Sequence, residues 1–385
     1  MKDLKRHKLV YRILLPPIRL FMKLRFNYTY ESIKHIEGPY IMVANHNLEL
    51  DPLALGCAAH NHVYFVASEH IMRKGFLSKL MMYFIKPIIH QKGRQGIRSV
   101  KEMLKTLQAG ANVAIFPEGN RSFNGITMEM NPSIARVAQR SGAKLITYKI
   151  EGGYLTQPRW GTTIRRGELR GVCVNVYTPE QLKEMDESQI IAAIISDLSE
   201  DAYETQEKKP VAYKSKKLAL GMESTLFMCP SCGKMGTLHS DDTNLFCDCG
   251  FSAVYDVYGY LTDKEGKKYT VTELDIAGRK ALEERFGTYT GDEPFFTDSI
   301  TLYEIDDNHN TLGSETGNLS VYADRFECCG RVYRFEEMDG MAIYSRSAII
   351  MNRKKEKGHI EIKGDIAFNA LKYLYCYEIK EGAQA

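Results

Sequence analysis

Short apolar runs alternate with longer amphipathic stretches along residues 27–155. The apolar runs are typical of buried strands and lie at 40–44, 62–67, 87–89, 112–116 and 145–150. Between them, apolar residues recur at helical spacing, as at Leu77, Leu80, Met81 and Phe84. Gly110 predicts the end of another helix, because glycine readily adopts the left-handed conformation that closes helices. Strands that alternate with helices predict an α/β sheet with crossover connections.

The first 26 residues mix apolar side chains with cations. They carry eight lysines and arginines against one acid, Asp3. Pro16 and Pro17 predict a break into two short helices, because proline lacks the N–H that a helix interior needs. Basic amphipathic helices are typical of a membrane interface, where each cation near anionic lipid contributes about 1 kcal/mol. The alternative is a helix that docks on the protein's own core.

The C-terminal part has a different pattern. A helical segment at 273–286 is followed by short strand-like runs, and a closing helix starts at Asn369. The runs lie at 300–304, 318–322, 331–335, 341–344, 348–351 and 359–362. Several strands closed by one helix resemble a pleckstrin-homology-like module, a class that often binds lipid or protein.

Composition narrows the class of protein. A chain of 385 residues with 44% hydrophobic and 26% charged positions suits two or three globular domains. The net charge of +3 is too small to suggest nucleic acid. We expect no secretory signal peptide, because Pro16, Pro17 and frequent cations interrupt the first apolar region. No apolar run approaches the length that spans a bilayer. The nine cysteines, four clustered and five scattered, suit a reducing cytosol better than a disulfide framework.

Four of the cysteines have the spacing of metal ligands. Cys229 and Cys232 form one pair, and Cys247 and Cys249 form a tighter pair after fourteen residues. Four thiolates suit a closed, tetrahedral structural zinc site, and the segment resembles a zinc ribbon. Iron–sulfur chemistry also fits sulfur ligands, and four unligated thiols are the remaining alternative. A closed site has no open position, so we assign no catalysis to the metal.

A candidate catalytic pair follows the first strand. His46 lies just after the run 40–44, and Asp51 follows five residues later. Histidine can take a proton near neutral pH, and a carboxylate can fix its tautomer and stabilise the imidazolium. No serine or cysteine lies beside the pair, which suggests that the nucleophile arrives with the substrate as an alcohol. The alternative is a strand-end histidine with Asp51 as an N-cap ahead of Pro52.

A second candidate motif, residues 116–122, follows the run 112–116. Gly119 permits a tight turn, and Arg121 offers a fork of donors suited to phosphate. Ser122 and backbone amides add further donors, and Glu118 can hold the arginine or a substrate hydroxyl. Taken alone, the motif is also a plausible surface turn.

Together the two motifs, some 70 residues apart, resemble those of the glycerolipid acyltransferase family. Its best-known members are 1-acylglycerol-3-phosphate acyltransferases. The resemblance covers roughly residues 1–205. It implies that His46 and Asp51 are the catalytic pair and that residues 117–121 form the second family motif. It also implies a mixed sheet flanked by helices, and it favours membrane binding by residues 1–26.

Two further blocks of the family pattern match poorly. The block between the main motifs normally ends in an arginine that contacts the acceptor phosphate. Here Lys92 and Arg94 are both candidates, and the spacing does not choose between them. The last block usually carries a proline where Thr147 stands. These departures leave the reaction type in place and the acceptor open.

The sequence therefore predicts an α/β protein with a small zinc ribbon and a mostly β C-terminal domain closed by a helix. Four regions are expected: membrane-interface helices at 1–26, an acyltransferase domain at 27–210, a linker and zinc ribbon at 211–256, and a β-rich domain at 257–385.

The predicted reaction moves a fatty acyl group from an acyl-CoA or acyl-carrier-protein thioester to a lysophospholipid hydroxyl. The first choice of acceptor is 1-acylglycerol 3-phosphate, which gives phosphatidate. The predicted acceptor site comprises Glu118, Gly119, Arg121, Ser122 and Lys92 or Arg94. We expect a cytoplasmic protein that binds peripherally to the anionic inner face of the cell membrane, with no nucleic-acid partner. Another lysolipid or alcohol acceptor, or a non-catalytic lipid-binding scaffold, is the alternative.

Overall fold

A computed structural model of the chain describes residues 3–73, 75–90, 97–307, 310–354 and 358–382. The chain forms two compact units. The first unit comprises Met1–Arg159 and Ile164–Lys214, and the second comprises Trp160–Thr163 and Ser215–Ala385.

A seven-stranded sheet forms the centre of the first unit. Its strands are β1 (Thr29–Tyr30), β2 (Tyr40–Ala44), β3 (Val63–Ser68), β4 (Ile88–His90), β5 (Asn112–Ile115), β6 (Lys144–Glu151) and β7 (Arg170–Tyr177). They lie in the order β1-β7-β6-β2-β5-β3-β4. The pairs from β6 to β4 are parallel, whereas β7 is antiparallel to β6. The predicted mixed sheet is therefore confirmed.

Helices cover both faces of this sheet. They are α1 (Leu4–Phe26), α2 (Asp51–Ala59), α3 (Phe76–Phe84), α4 (Ile97–Gln108), α5 (Ser133–Ser141), α6 (Gly153–Thr156), α7 (Pro179–Glu184), α8 (Glu187–Leu198) and α9 (Ala202–Lys208), with a 3-10 turn at Glu69–Arg73. Side chains of β2 alternate between the two layers, as the period of a strand requires. Met42 packs with residues of α1 and α2, and Ile41 packs with residues of α4, α5 and α8.

The prediction of two short N-terminal helices was wrong, because α1 runs unbroken through Pro16 and Pro17. Contacts on both sides of the prolines tie the helix to α2. The Tyr11 hydroxyl, before them, and the Arg19 guanidinium, after them, both donate to backbone carbonyls near the end of α2. These tertiary bonds compensate for the helical bonds that the prolines remove. Among the described residues, no helix is both long enough and apolar enough to cross a membrane.

The smaller of the two sheets in the described part of the second unit has five antiparallel strands. Its strands are β8 (Leu238–Ser240), β9 (Asn244–Cys247), β10 (Ser252–Tyr255), β11 (Leu261–Asp263) and β12 (Lys268–Tyr269), joined in chain order. The segment from 211 to 228 was expected to be a linker, but much of it is packed. It contains a 3-10 turn at Met222–Ser224, and Ala219 and Leu226 are buried. Apolar side chains within this lysine-rich stretch account for the difference.

The rest of the second unit is mostly β, as predicted. Helix α10 (Val271–Gly287) precedes seven antiparallel strands: β13 (Phe296–Ile305), β14 (Thr311–Val321), β15 (Arg325–Cys328), β16 (Arg331–Arg334), β17 (Met338–Tyr344), β18 (Ala348–Arg353) and β19 (His359–Lys363). A 3-10 turn at Phe335–Glu337 precedes β17. Their order is β16-β15-β14-β13-β19-β18-β17, and α11 (Ala370–Gly382) closes the chain.

Candidate active site

The first motif forms the loop between β2 and α2. His46 Nδ1 lies 2.9 Å from Asp51 Oδ2. The same carboxylate oxygen accepts the backbone N–H groups of Asn47 and Leu48, at 2.8 and 2.9 Å. Asp51 is fully buried and is the first residue of α2, so it does not act as the N-cap. Its carboxylate instead holds the loop and the histidine in one arrangement.

The His46 ring is held on one face as well as at one edge. It stacks on Phe116 with ring centroids 4.4 Å apart and planes 21° from parallel. Its side chain remains 21% exposed, whereas that of Asp51 is buried. A ring that is fixed by a carboxylate and a phenyl face, yet still accessible, is suited to act as a base toward an incoming group.

Glu118 ties the second motif to the first. One carboxyl oxygen accepts the backbone N–H of His46 at 2.6 Å, and the other accepts that of Met128 at 2.8 Å. Burial raises the pKa of Glu118 to about 8, despite the two backbone bonds that favour the ionised form. Both oxygens of this carboxyl group accept backbone N–H groups of the protein, so Glu118 supports the loop that carries His46.

Arg121 presents a buried guanidinium beside the first motif. Its Nη2 lies 3.3 Å from Glu49 Oε1, and its side chain is only 10% exposed. Its Nη1 is buried without a hydrogen-bond partner among the described residues. Burial lowers the pKa of Arg121 from its ordinary value. A buried, incompletely paired guanidinium favours an anionic ligand, since the lost hydration has to be replaced.

The turn between Glu118 and Arg121 depends on glycine, because Gly119 has a φ of +68°. Ser122 is fully buried. Its hydroxyl donates to the carbonyl of Ile126 at 2.7 Å and accepts the N–H of Gly125 at 2.9 Å. The geometry thus uses Gly119 and Ser122 to shape the loop.

A buried carboxyl group that the motifs do not reveal lies beneath the histidine loop. Glu200 Oε2 accepts the side-chain amides of Asn45 and Asn47, at 2.7 and 2.8 Å. Burial, with a smaller contribution from Glu151, raises the pKa of Glu200 to about 8. The two asparagines flank His46 in sequence. They were the one sequence signal for a buried polar partner beneath this loop. Glu200 itself is too distant in sequence for a local pattern to find it.

Three residues of the poorly matched blocks have different outcomes. Lys92 and Arg94 lie outside the described residues. Thr147 is buried in β6, and its hydroxyl donates to Asp197 Oδ2 at 2.8 Å. It therefore belongs to a polar contact between β6 and α8.

The four predicted metal ligands converge in the second unit. The Sγ atoms of Cys229, Cys232, Cys247 and Cys249 all lie within 4.8 Å of one another. The pairs Cys229–Cys249 and Cys232–Cys247 are 3.7 and 3.9 Å apart. Zinc–sulfur bonds of about 2.3 Å place tetrahedral ligands about 3.8 Å apart, so this donor set fits zinc. Tetrahedral sulfur also fits iron, and the prediction of a metal site is compatible with either.

The histidine–aspartate pair and the arginine loop both lie in one part of the first unit. Residues 25–151 match the Acyltransferase family. The matched range contains His46, Asp51 and the Glu118–Ser122 loop, and it supports acyltransferase activity in this unit. Arg159, Glu200 and the four cysteines lie beyond it.

The chain is also similar to a solved structure, that of the 1-acyl-sn-glycerophosphate (LPA) acyltransferase PlsC from Thermotoga maritima. The two are 20% identical, with a TM-score of 0.41. The similar region covers 52% of this chain and 81% of that chain.

Proposed function

We propose that the protein transfers a fatty acyl group from an acyl thioester to the free hydroxyl of a lysophospholipid, with 1-acylglycerol 3-phosphate as the first choice of acceptor. The main support is the pair of His46 and Asp51, whose Nδ1 and Oδ2 atoms lie 2.9 Å apart, within a segment that matches the Acyltransferase family. The product of the preferred acceptor is phosphatidate, a precursor of membrane phospholipids.

His46 acts as the general base in this scheme. Since Asp51 binds Nδ1, Nε2 takes the proton from the acceptor hydroxyl as its oxygen attacks the thioester carbonyl. The tetrahedral intermediate then expels the thiolate, which receives the proton from the imidazolium. An ester and a free thiol result, and His46 returns to its neutral form. The Asp51 carboxylate stabilises the imidazolium between the two steps.

Arg121 binds the acceptor phosphate in this scheme. The guanidinium is buried, and its Nη1 has no hydrogen-bond partner within the described part of the chain. Its Nη2 contacts the exposed carboxylate of Glu49. A phosphate can take both nitrogens in a bidentate contact and displace Glu49. Holding the acceptor by its phosphate brings its hydroxyl to His46 as a positioned group. Lys92 and Arg94 remain candidates for a second phosphate contact.

The exposed face of α1 is the proposed membrane contact. Four apolar side chains on one side of the helix are more than half exposed. They are Leu9 (57%), Ile13 (62%), Leu20 (57%) and Leu24 (67%). Leu15, Met22 and Phe26 are buried on the opposite side. Exposed cations, including Lys5, Arg12 and Lys23, border the apolar stripe. This arrangement supports both earlier interpretations, since one face docks on the core and the other suits an anionic inner leaflet.

The second unit has two proposed components. The four convergent thiols support a zinc-ribbon-like structural site on the five-stranded sheet. The strand order of the larger sheet, with its closing α11, supports a pleckstrin-homology-like module. In this proposal the metal holds the hairpins together and takes no part in the transfer.

An acceptor panel tests the proposal. Purified protein is given acyl-CoA or acyl-carrier protein with lysophosphatidate, a lysophosphodiester lipid or a monoacylglycerol, and the lipid products are measured. Arg121→Ala is compared with Arg136→Ala, whose guanidinium pairs with Glu187 at the surface. We expect fast transfer to lysophosphatidate that Arg121→Ala slows strongly, to a residual rate that is still measurable, and that Arg136→Ala leaves unchanged. Transfer that is equally fast to the monoacylglycerol, or that keeps the wild-type rate in Arg121→Ala, would overturn phosphate recognition by this arginine.

A further inference from the structure

A segment outside the matched family range touches both motif loops. It consists of Gln157, Pro158 and Arg159, directly after α6. Gln157 Oε1 accepts the backbone N–H of Glu49, in the histidine loop, at 3.2 Å. Arg159 Nη1 donates to the carbonyl oxygen of Arg121, in the arginine loop, at 3.2 Å. The segment therefore contacts both the loop that carries His46 and the loop that carries Arg121.

Arg159 is held in a fixed position from which it makes this contact. Its side chain is buried, and its guanidinium carbon lies 4.1 Å from the centroid of the Phe123 ring. The same Nη1 also donates to Asn120 Oδ1 at 3.2 Å. A planar group stacked on an aromatic ring loses little further freedom when it forms hydrogen bonds. Arg159 can thus fix both the backbone carbonyl of Arg121 and the side chain of the preceding residue, Asn120.

One peptide group joins Arg159 to the catalytic histidine. The carbonyl of Arg121 accepts from Arg159, while the N–H of the same peptide group, that of Ser122, donates to the carbonyl of His46 at 3.0 Å. Rotation of this peptide plane would break both bonds. The two contacts therefore set the placement of the Arg121 side chain relative to His46.

The positive charge of Arg159 also favours the binding of an anion beside Arg121. Burial lowers the pKa of Arg159, and the nearby positive charge of Arg121 lowers it further. The carboxylate of Glu49 acts in the opposite direction on both guanidinium groups. An incoming phosphate would offset the repulsion between the two guanidinium groups, because it brings negative charge to a buried site.

We propose that Arg159 is a positioning residue that fixes Arg121 for the acceptor phosphate at a set distance from His46. This assignment rests on the proposed function, since it concerns how the same site holds its acceptor. It predicts that Arg159 affects acceptor binding through Arg121 and leaves the thioester donor unaffected.

A double-mutant cycle on the full-length protein tests this. Initial rates with lysophosphatidate and acyl-CoA are measured for wild type, Arg159→Met, Arg121→Met and the double variant, with Arg136→Met as a surface control. We expect Arg159→Met to raise KM for lysophosphatidate roughly 10- to 100-fold, with KM for acyl-CoA unchanged. In the Arg121→Met background, Arg159→Met should have little further effect, because the group it positions is gone.

Other outcomes separate the possible failures. Losses that multiply in the double variant, or equal rises in both KM values, would overturn the positioning role and leave the proposed function standing. A wild-type protein that acylates no lysolipid would overturn the proposed function and this assignment with it. Thermal unfolding checks that each variant is folded. If Arg159→Met does not fold, Arg159→Lys carries the same cycle, with an expected rise in KM of about 3- to 10-fold, because an ammonium cannot keep the planar stack.

Discussion

The backbone amide of Ser122 donates a hydrogen bond of 3.0 Å to the carbonyl oxygen of His46. Glu118 adds a second link, because its carboxyl group accepts the N–H of the same histidine at 2.6 Å. The backbone of His46 is thus bound by the second motif at both its donor and its acceptor. The two motifs form one bonded structure, although some 70 residues separate them in sequence.

The carboxylate of Asp51 should contribute to the rate mainly through its charge. In Asp51→Asn, the new carbonyl oxygen can keep the bonds of Oδ2 to His46 and to two loop amides, while the NH₂ group takes the place of Oδ1. The charge that stabilises the imidazolium is lost, so we expect kcat to fall roughly 10²- to 10⁴-fold. Fixed-time assays of the lipid product at a saturating concentration of acceptor measure kcat.

The matched control is Asp197→Asn, which changes a buried aspartate bound to Thr147, Asn175 and Tyr177. It should alter stability and leave kcat near that of wild type. Equal kcat losses in the two variants would argue against a special role for the charge of Asp51.

Glu200 should make the first unit less stable as the pH rises. Its pKa is about 8 in the folded protein, against an ordinary value of 4.5, so the folded state binds more protons than the unfolded state between those values. Folding stability from this group therefore falls as pH rises through that window. Glu200→Gln keeps an oxygen for Asn45 and Asn47 and has no such titration.

We expect the Tm of Glu200→Gln to exceed that of wild type by an amount that grows from pH 5 to pH 8. Differential scanning calorimetry at several pH values measures it. A Tm difference of the same size at both ends would contradict the raised pKa as its cause.

Removal of the metal should destabilise the second unit selectively. Cys232→Ser leaves three thiolates of the cluster, and a structural zinc site with three ligands binds metal far more weakly. We expect about one zinc per chain in wild type, loss of zinc in the variant, and a lower unfolding temperature for the second unit alone. Elemental analysis and calorimetry check this. Cys173→Ser, which changes a half-buried cysteine of the first unit, should keep the zinc. Iron in place of zinc would identify the other sulfur-ligated metal.

The apolar stripe of α1 should determine membrane affinity. Ile13→Asp combined with Leu24→Asp puts two charges on its exposed face, and we expect vesicle affinity to fall at least roughly 10- to 100-fold. Co-sedimentation with vesicles containing anionic lipid measures this. Ile195→Asp changes an apolar side chain of α8 that is 45% exposed, and it should leave affinity unchanged. Equal losses in both variants would indicate a general effect of surface charge.

Local patterns predicted the parts of the protein that depend on local chemistry. The strands around His46 and the second motif appear as short apolar runs, and the cysteine spacing indicates the hairpins that bring four thiols together. Glu200 and Arg159 could not be predicted, because their contacts to Asn45 and Arg121 span 155 and 38 residues. Pro16 and Pro17 misled the prediction for a related reason, since tertiary contacts along α1 outweigh a local preference for a break.

A comparison of acyl transfer by wild type and by His46→Ala tests whether His46 is the general base. Both proteins are given lysophosphatidate and acyl-CoA, and phosphatidate formation is followed, with His35→Ala as a surface control. We predict that wild type and His35→Ala form phosphatidate at similar rates and that His46→Ala is at least roughly 10²-fold slower. Phosphatidate formation by folded His46→Ala at the wild-type rate would contradict the role of His46 as the base.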